Sequence, residues 1–193
     1  MNEFEEPAYE GIDFANKNFG IIDVSGKEFD SCKFIECDFS GANLVDCNFT
    51  NCLFETCNLS NPKIDHTRLE DARLVDSKII GINFYHFDQL VFDIHFEGCK
   101  LMNCNFTDLK MKRTKFIRCE VIDCEFQNAY LVESDFSEST FRGTLFHNSN
   151  LQKANFHDSH GYSIDPRTND IRKAVFSVPD VLSLLGPYDI VIE

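Results

Sequence analysis

The chain has 193 residues, of which 32 are Asp or Glu and 18 are Lys or Arg, so its formal net charge is −14. This balance argues against a nucleic-acid binder, because such a protein needs a basic footprint to displace counterions from phosphates. No apolar run is long enough to cross a membrane, and the acidic N-terminus lacks the basic and apolar regions of a signal peptide. We therefore expect a cytoplasmic chain with neither a membrane contact nor a direct nucleic-acid contact.

Residues 1–11 are acidic and poorly patterned, which predicts a loose or capping lead-in segment. A five-residue repeat then dominates residues 12–176. From Phe14 to Phe84 every fifth residue is apolar, fifteen times in succession, and from Phe96 to Phe156 the same holds thirteen more times. This period matches neither a helical stripe near about 3.6 residues nor the alternation of a strand. A sustained fixed period indicates a repeat architecture.

The frame shifts by two residues at 85–95, which predicts a bulge or kink in the repeat. We favour a purely structural irregularity there. The alternative is a hinge or contact point that exposes Tyr85, His86 or Phe87. A second interruption at residues 159–170 predicts a loop around Asp165 and Pro166, after which the frame returns at Phe176.

All nine cysteines fall two positions before a central apolar residue, so their spacing is the repeat period and not a metal-ligand spacing such as CxxC. Free Cys behaves as a small buried hydrophobe, which suits an inward position. The six histidines have no convincing ligand spacing, and no phosphate-binding loop, dinucleotide fingerprint or nucleophile elbow is present. We predict no catalytic residue, no metal site and no cofactor, and we expect that the protein is not an enzyme.

Residues 177–193 differ from the repeat. Ser177 is suited to cap a helix, and Gly186 followed by Pro187 is suited to end it. Tyr188 and the residues after it read as an apolar strand. A solenoid end needs a cap, but the surplus apolar surface favours pairing with a second copy over a simple cap. The predicted dimer interface comprises Val181, Leu182, Leu184, Leu185, Tyr188, Ile190, Val191 and Ile192.

The run CKFIECDFSGANLVDCNFTNCLFETCNLS at residues 32–60 resembles the pentapeptide-repeat family, whose motif is a small residue, a polar residue, Leu or Phe, and two variable residues. The resemblance covers residues 12–176. It implies an all-β solenoid, a right-handed quadrilateral β-helix with one pentapeptide per face and about eight coils. A short C-terminal α-helical cap and a terminal strand would complete the fold.

The length and repeat density resemble the Qnr-, MfpA- and McbG-like branch of that family, although this chain has no insertion the size of that branch's projecting loops. The resemblance implies a dimeric rod that mimics duplex DNA and binds a type II topoisomerase, DNA gyrase above all, with modulation of the enzyme or protection against quinolones. The alternative is a structural or protein-interaction module with another partner. Acidic outer residues would imitate phosphates: Asp13, Asp23, Asp30, Glu36, Asp38, Asp46, Asp123, Glu125, Glu133, Asp135 and Glu138.

Overall fold

A computed structural model describes residues 4–191 and confirms the solenoid. Four consecutive pentapeptides make one square coil, and each central apolar residue points inward from one face. We number the faces 1 to 4 after Phe14, Phe19, Val24 and Phe29, which are all buried. Neighbouring coils pair in parallel, for example Phe14 with Phe34 and Phe34 with Phe54. Eight coils follow one another, beginning on face 1 at Phe14, Phe34, Phe54, Leu74, Phe96, Phe116, Phe136 and Phe156.

The strands are short because each face turns after a few residues. Face 1 carries Asp13–Ala15, Lys33–Ile35, Leu53–Glu55, Phe116–Ile117, Asn155–Phe156 and Val175–Phe176. Face 2 carries Asn58–Ser60, Lys78–Ile80, Lys100–Met102, Glu120–Ile122 and Thr140–Arg142. Face 3 carries Glu125–Gln127 and Leu145–His147, and face 4 carries Ala8–Glu10, Glu28–Asp30 and Asn48–Thr50. Two longer strands run from face 4 round to face 1, Arg68–Val75 and Phe92–Glu97.

Each corner is made by the second residue after a central one, which adopts left-handed backbone. The φ angle is 53° at Glu36, 47° at Asp76 and 54° at Arg118. Asn, Asp and Gly tolerate this region best, and they occupy many of the corners. The corner residues therefore stack along the rod and form its four edges.

The interior is a set of stacked aromatic columns. On face 1, Phe96 and Phe116 have ring centroids 4.9 Å apart, and Phe116 and Phe136 are 5.0 Å apart. Leu74 pairs with Phe54 on one side and Phe96 on the other. Face 1 therefore forms one continuous column across the frame shift. Around Leu74 the core is aliphatic and encloses a void of about 30 Å³.

The register break at 85–95 is a single lengthened coil. Leu74 pairs with Phe96, where a coil of regular length would bring Ile94. Asp88 still lies at the regular spacing from Thr67, whereas Phe92 pairs with Leu69, so the extra residues form a bulge between Asp88 and Phe92 at the entry to face 4, and the pairing shifts once more between Phe92 and Ile94. A 3-10 helix, Phe84–His86, precedes this bulge. The ring of Phe87 is buried and lies 5.4 Å from that of Phe84 and 5.8 Å from that of Phe92. Phe87 is thus a core residue and not an exposed contact.

Residues 159–170 form part of the eighth coil rather than a projecting loop. Thr140 pairs with His160 and Asn150 with Asp170, both at the regular coil spacing. Between them Phe146 pairs with Ile164 instead of Pro166, and a turn at Asp165 restores the register. The segment is anchored because Tyr162, Ile164 and Asn169 are buried.

Both ends of the rod are covered. At the N-terminal end Phe4 is buried and its ring contacts those of Tyr9, Phe14 and Phe19. Strand Ala8–Glu10 pairs with Glu28–Asp30. The described part of the predicted lead-in is therefore the cap and first partial coil of the solenoid.

At the C-terminal end the predicted helical cap is a 3-10 helix, Asp180–Tyr188, rather than an α-helix. It runs through Gly186 and Pro187, where the sequence predicts its end. Pro187 supplies no N–H, which disfavours continued α-helical hydrogen bonding. No strand follows within residues 189–191, so the predicted terminal strand is absent from the part of the tail that the structure describes.

Candidate interaction surface

The interior holds buried thiols. All nine cysteines are buried and free. The Cys47 thiol donates to the carbonyl oxygen of Val24 at 3.0 Å. Burial raises the pKa of Cys47 to about 11 and the pKa of both Cys52 and Cys57 to about 12. A thiol nucleophile reacts as its thiolate, so these groups are unreactive in the folded state.

Polar groups form no evident ligand cluster. Among residues 4–191, no three His, Cys, Asp or Glu side chains are grouped so that they could hold a metal ion. Within the same residues, no helix is long and apolar enough to span a membrane.

One edge of the rod carries an acidic residue in six of seven successive coils. It is formed by the two residues that follow each central residue of face 1. Backbone bonds align these positions: the amide of Glu36 donates to the carbonyl oxygen of Glu55, and that of Asp76 to Glu97, both at 2.9 Å. We call this the acidic edge, and its exposed carboxylates are Glu36, Glu55, Asp76, Glu97, Glu138 and Asp158.

A single cation interrupts the acidic edge. Arg118 lies at the corner between those of Gly98 and Glu138, and its Nη2 is 2.5 Å from Oε1 of Glu97. Both partners are exposed, so this ion pair adds little stability. The acidic edge remains strongly negative along its length, since it carries six carboxylates against one guanidinium.

The sequence-predicted acidic residues are not brought together as one surface. Only Glu36 and Glu138 lie on the acidic edge. Asp13 and Asp135 lie on face 1, Asp38 on face 2, and Asp23 and Glu125 on face 3. The remaining four occupy the other three edges: Asp123 after face 2, Asp46 after face 3, and Asp30 and Glu133 after face 4.

Several of these carboxylates also form ion pairs or hydrogen bonds with side chains in the adjacent coils. Hydrogen bonds from Lys153 and Arg113 lower the pKa of Glu133 to about 2. Asp38 accepts the side-chain amide of Asn58 at 3.0 Å, and Asp135 accepts that of Asn155 at 2.9 Å. Such groups are less able to act as free phosphate substitutes.

Sequence reasoning missed four members of the acidic edge: Glu55, Asp76, Glu97 and Asp158. The signal was present in the coil-to-coil stacking that predicts the core columns. Applying the same stacking to the outer residues, with the frame shift added across the register break, places all four beside Glu36 and Glu138.

At the register break the exposed groups are Tyr85 and His86. The Tyr85 side chain is 60% exposed. Nδ1 of His86 lies 2.7 Å from Oδ1 of Asp65, one coil earlier. Because Phe87 is buried, the exposed groups at the register break are the polar-tipped side chains of these two residues and not an apolar contact point.

The tail divides into a capping part and an exposed part. Leu184 is buried against the last coil and Val181 packs beside it, so Leu184 is a cap residue and unavailable to a partner. Leu182, Leu185 and Tyr188 remain 44%, 36% and 50% exposed, and Ile190 and Val191 are 55% and 88% exposed. Ile192, also predicted for the interface, lies outside the described residues.

Polar contacts fix this tail on the rod. Nδ1 of His160 lies 2.9 Å from Oδ2 of Asp180, and the Ser177 hydroxyl accepts the amide of Asp158 at 2.9 Å. The guanidinium carbon of Arg167 lies 5.8 Å from the centre of the Tyr188 ring. The exposed apolar residues are therefore held at the end of the solenoid.

Comparison with known proteins agrees with this geometry. The family model for the pentapeptide repeat region matches residues 27–101 and 90–162. No curated protein sequence matches the chain.

Among solved structures, a trypsin-treated form of QnrB1, a plasmid-mediated fluoroquinolone resistance protein, aligns over 96% of this chain and 100% of its own with 17% identity and a TM-score of 0.50. A second trypsin-treated form aligns over 100% and 94% with 21% identity and a TM-score of 0.49. HetL, a pentapeptide repeat protein from the cyanobacterium Nostoc involved in heterocyst differentiation regulation, aligns over 90% and 86% with 13% identity and a TM-score of 0.29. At such identities the likeness concerns the fold alone.

Proposed function

This chain belongs to the pentapeptide repeat family, and we propose that it is a non-enzymatic rod whose acidic edge occupies the DNA-binding surface of a type II topoisomerase, DNA gyrase above all. The acidic edge is the observation that carries the proposal. A rigid line of carboxylates presents negative charge to a cationic groove without any chemistry of its own.

The spacing of the charges suits this role. Adjacent coils are about 4.8 Å apart, so the acidic edge offers close to one carboxylate per about 4.8 Å. Phosphates along one DNA strand recur every ~3.4 Å of axis. A protein groove lined with Lys and Arg would therefore meet a charge density of similar order, and long-range attraction would steer the encounter.

We propose a type II topoisomerase as the partner because the fold resembles that of QnrB1. QnrB1 is a plasmid-mediated fluoroquinolone resistance protein, and quinolones act on type II topoisomerases. The same rod architecture with an acidic edge supports a related target here, with modulation or protection of the enzyme as the outcome. Such a partner requires that the protein works in the cytoplasm, as the sequence predicts.

A gyrase supercoiling assay tests the proposal. The protein is titrated with and without a quinolone, at low and high salt. Inhibition of supercoiling that weakens with salt and with added DNA is the expected result, and restored supercoiling in the presence of the drug would add a protective role. Absence of any effect up to tens of micromolar would refute gyrase as the partner and leave a rod with a different partner.

Two charge-matched variants separate the acidic edge from net charge. The first neutralises Glu36, Glu55 and Glu138 to Gln. The control neutralises three acidic residues elsewhere, through Asp46→Asn, Asp108→Asn and Glu125→Gln. Both lose three negative charges, so equal weakening would mean that only net charge matters. The proposal requires that the first variant loses most of its effect while the control keeps it.

We also propose that the exposed tail residues Leu182, Leu185, Tyr188, Ile190 and Val191 join two copies into a symmetric, longer rod. Their apolar surface at the end of the solenoid supports this arrangement. Sedimentation analysis should show a dimer that Ile190→Asp dissociates. The matched control is Ile21→Asp, since Ile21 is 84% exposed far from the tail. A wild-type monomer at all concentrations would refute the tail interface.

A further inference from the structure

The edge between faces 4 and 1 divides into an acidic half and a basic half. It is formed by the two residues after each central residue of face 4, and we call it the bipolar edge. Its N-terminal half carries four carboxylates and no cation: Glu10, Asp30, Glu70 and Asp71. Its C-terminal half carries five cations and one carboxylate: Lys112, Arg113, Lys153, Arg172, Lys173 and Glu133.

The rows on this edge are continuous. Glu10 pairs with Asp30, Asp30 with Thr50, and Thr50 with Glu70 in register. In the other half, the amide of Arg113 donates to the carbonyl oxygen of Val132, and the amide of Lys153 to that of Arg172, both at 3.0 Å. The opposite charges therefore lie along one straight feature of the rod.

We infer that the bipolar edge binds a second copy of this chain, side by side and antiparallel. The nine steps along this edge run from Glu10 to Arg172, and the bulged coil of Asp93 is the middle one. A two-fold axis through that coil and perpendicular to the rods places Glu70 opposite the second copy's Lys112. It also places Glu10 opposite the last step of the second copy, which carries Arg172 and Lys173.

The intermediate steps are compatible with this pairing. Thr50 faces Val132, and Asp30 faces Gln152 with Lys153 next to it. Glu133 is the one acidic residue of the edge's basic half, and it lies 2.8 Å from Nε of Arg113 and 3.0 Å from Nζ of Lys153. Asp170 of the neighbouring face 4 holds Arg172 at 2.6 Å, so Lys112 and Lys173 are the cations of this half without an ion pair among the described residues. Each cation–carboxylate contact occurs twice in the dimer, as a two-fold interface requires.

The middle of the interface lies at the bulged coil. Asp93 lies at the axis there, so it faces another Asp93 and is the one like-charge contact. A net charge of −14 on each chain opposes association, and the arrangement of charges on this edge offsets that repulsion locally.

Charge-swapped variants test the inference by sedimentation velocity. The first variant combines Lys112→Glu with Lys173→Glu, and the second combines Glu10→Lys with Glu70→Lys. Each variant reverses four contacts in the dimer. If each reversed contact raises the dissociation constant by a factor of about two to three, self-association weakens roughly thirtyfold. An equimolar mixture should restore it, because the reversed charges of the two chains complement one another.

The second variant separates the edge from net charge. Its net charge is less negative than that of the wild type, so a net-charge effect would strengthen its self-association, whereas the bipolar edge requires that it weakens. Lys63→Glu combined with Lys78→Glu is the matched control for the first variant, since these lysines lie on faces 3 and 2. This control should self-associate like the wild type apart from a small repulsion.

Two further measurements complete the test. Asp93→Asn removes the like-charge contact and should tighten the dimer. Raising the ionic strength from about 0.01 M to about 1 M, which shortens the Debye length from ~30 Å to ~3 Å, should dissociate it. The two tails of an antiparallel pair lie at opposite ends, so where the tail also pairs, the species lost is an open-ended assembly and a tail dimer remains. Wild-type protein without any salt-sensitive association, or a mixture of the two swapped variants that stays dissociated, would overturn the inference.

Discussion

Replacing Phe116 by Ala should lower the free energy of unfolding by most of what a fully buried aromatic side chain contributes. Its side chain has 0% exposure. Its ring stacks on Phe96 at 4.9 Å and on Phe136 at 5.0 Å, and it meets Phe106 and Phe126 edge to face at 5.6 Å. A Phe→Ala change in a core costs about 3–5 kcal/mol. Aromatic pairs contribute stability beyond the burial of their surface, so the four ring contacts of Phe116 place its cost near the upper end of this range.

Thermal unfolding followed by circular dichroism measures the effect. For a chain of this size about 2–4 °C is lost per kcal/mol, so the melting temperature should fall by roughly 10–20 °C. The control is Phe176→Ala at the end of the same column, where the ring is only half-buried and contacts two rings, those of Phe156 and Tyr162, instead of four; we expect a loss of about 1–2 kcal/mol there. A Phe116→Ala protein that melts within about 2 °C of the wild type would refute the continuous column.

Three other changes test separate parts of the molecule. Leu74→Phe should fill the void of about 30 Å³ and stabilise the fold by about 0.7 kcal/mol in denaturant titrations, whereas Leu151→Phe, in a coil away from that void, should destabilise it by about 1–3 kcal/mol. The raised thiol pKa values of Cys47, Cys52 and Cys57 predict that a thiol reagent leaves these three cysteines unlabelled at neutral pH until the protein unfolds, and rapid labelling of any of the three in the native state would contradict this. Because the pKa of Glu133 is lowered from 4.5 to about 2, its contribution is present above the unfolded value and lost as the pH falls through that range. Melting curves of Glu133→Gln should accordingly show a shallower acid dependence there, and an unchanged slope would contradict the assignment.

The bipolar and acidic edges assign different tasks to different sides of one rod. They lie on opposite sides of face 1, so an antiparallel pair joined by the bipolar edge leaves the acidic edge of each copy open. Binding of a cationic partner and self-association are therefore compatible. The acidic-edge variant should weaken only the effect on gyrase, and the charge-swapped variants should weaken only self-association.

The five-residue period predicts the core because interior packing is a local consequence of the repeat. Each central residue faces inward whatever its neighbours are, so the buried set from Phe14 to Phe156 follows from the sequence. The positions of the small residues and of the cysteines follow for the same reason. The helical cap is placed correctly, but its 3-10 form and the role of Leu184 depend on how the tail meets the last coil.

What the sequence by itself determined is the solenoid: its period, its interior columns, the interruptions at 85–95 and 159–170, and a capping tail. What only the tertiary structure decided is the surface. Coils that are about 4.8 Å apart bring together side chains that are a full coil apart in sequence, so the charge of an edge depends on the register across the bulge at Phe92. That register aligns Asp76 with Glu97 and sets Glu70 and Lys112 on either side of Asp93, and it is fixed by strand pairing between coils rather than by any local pattern.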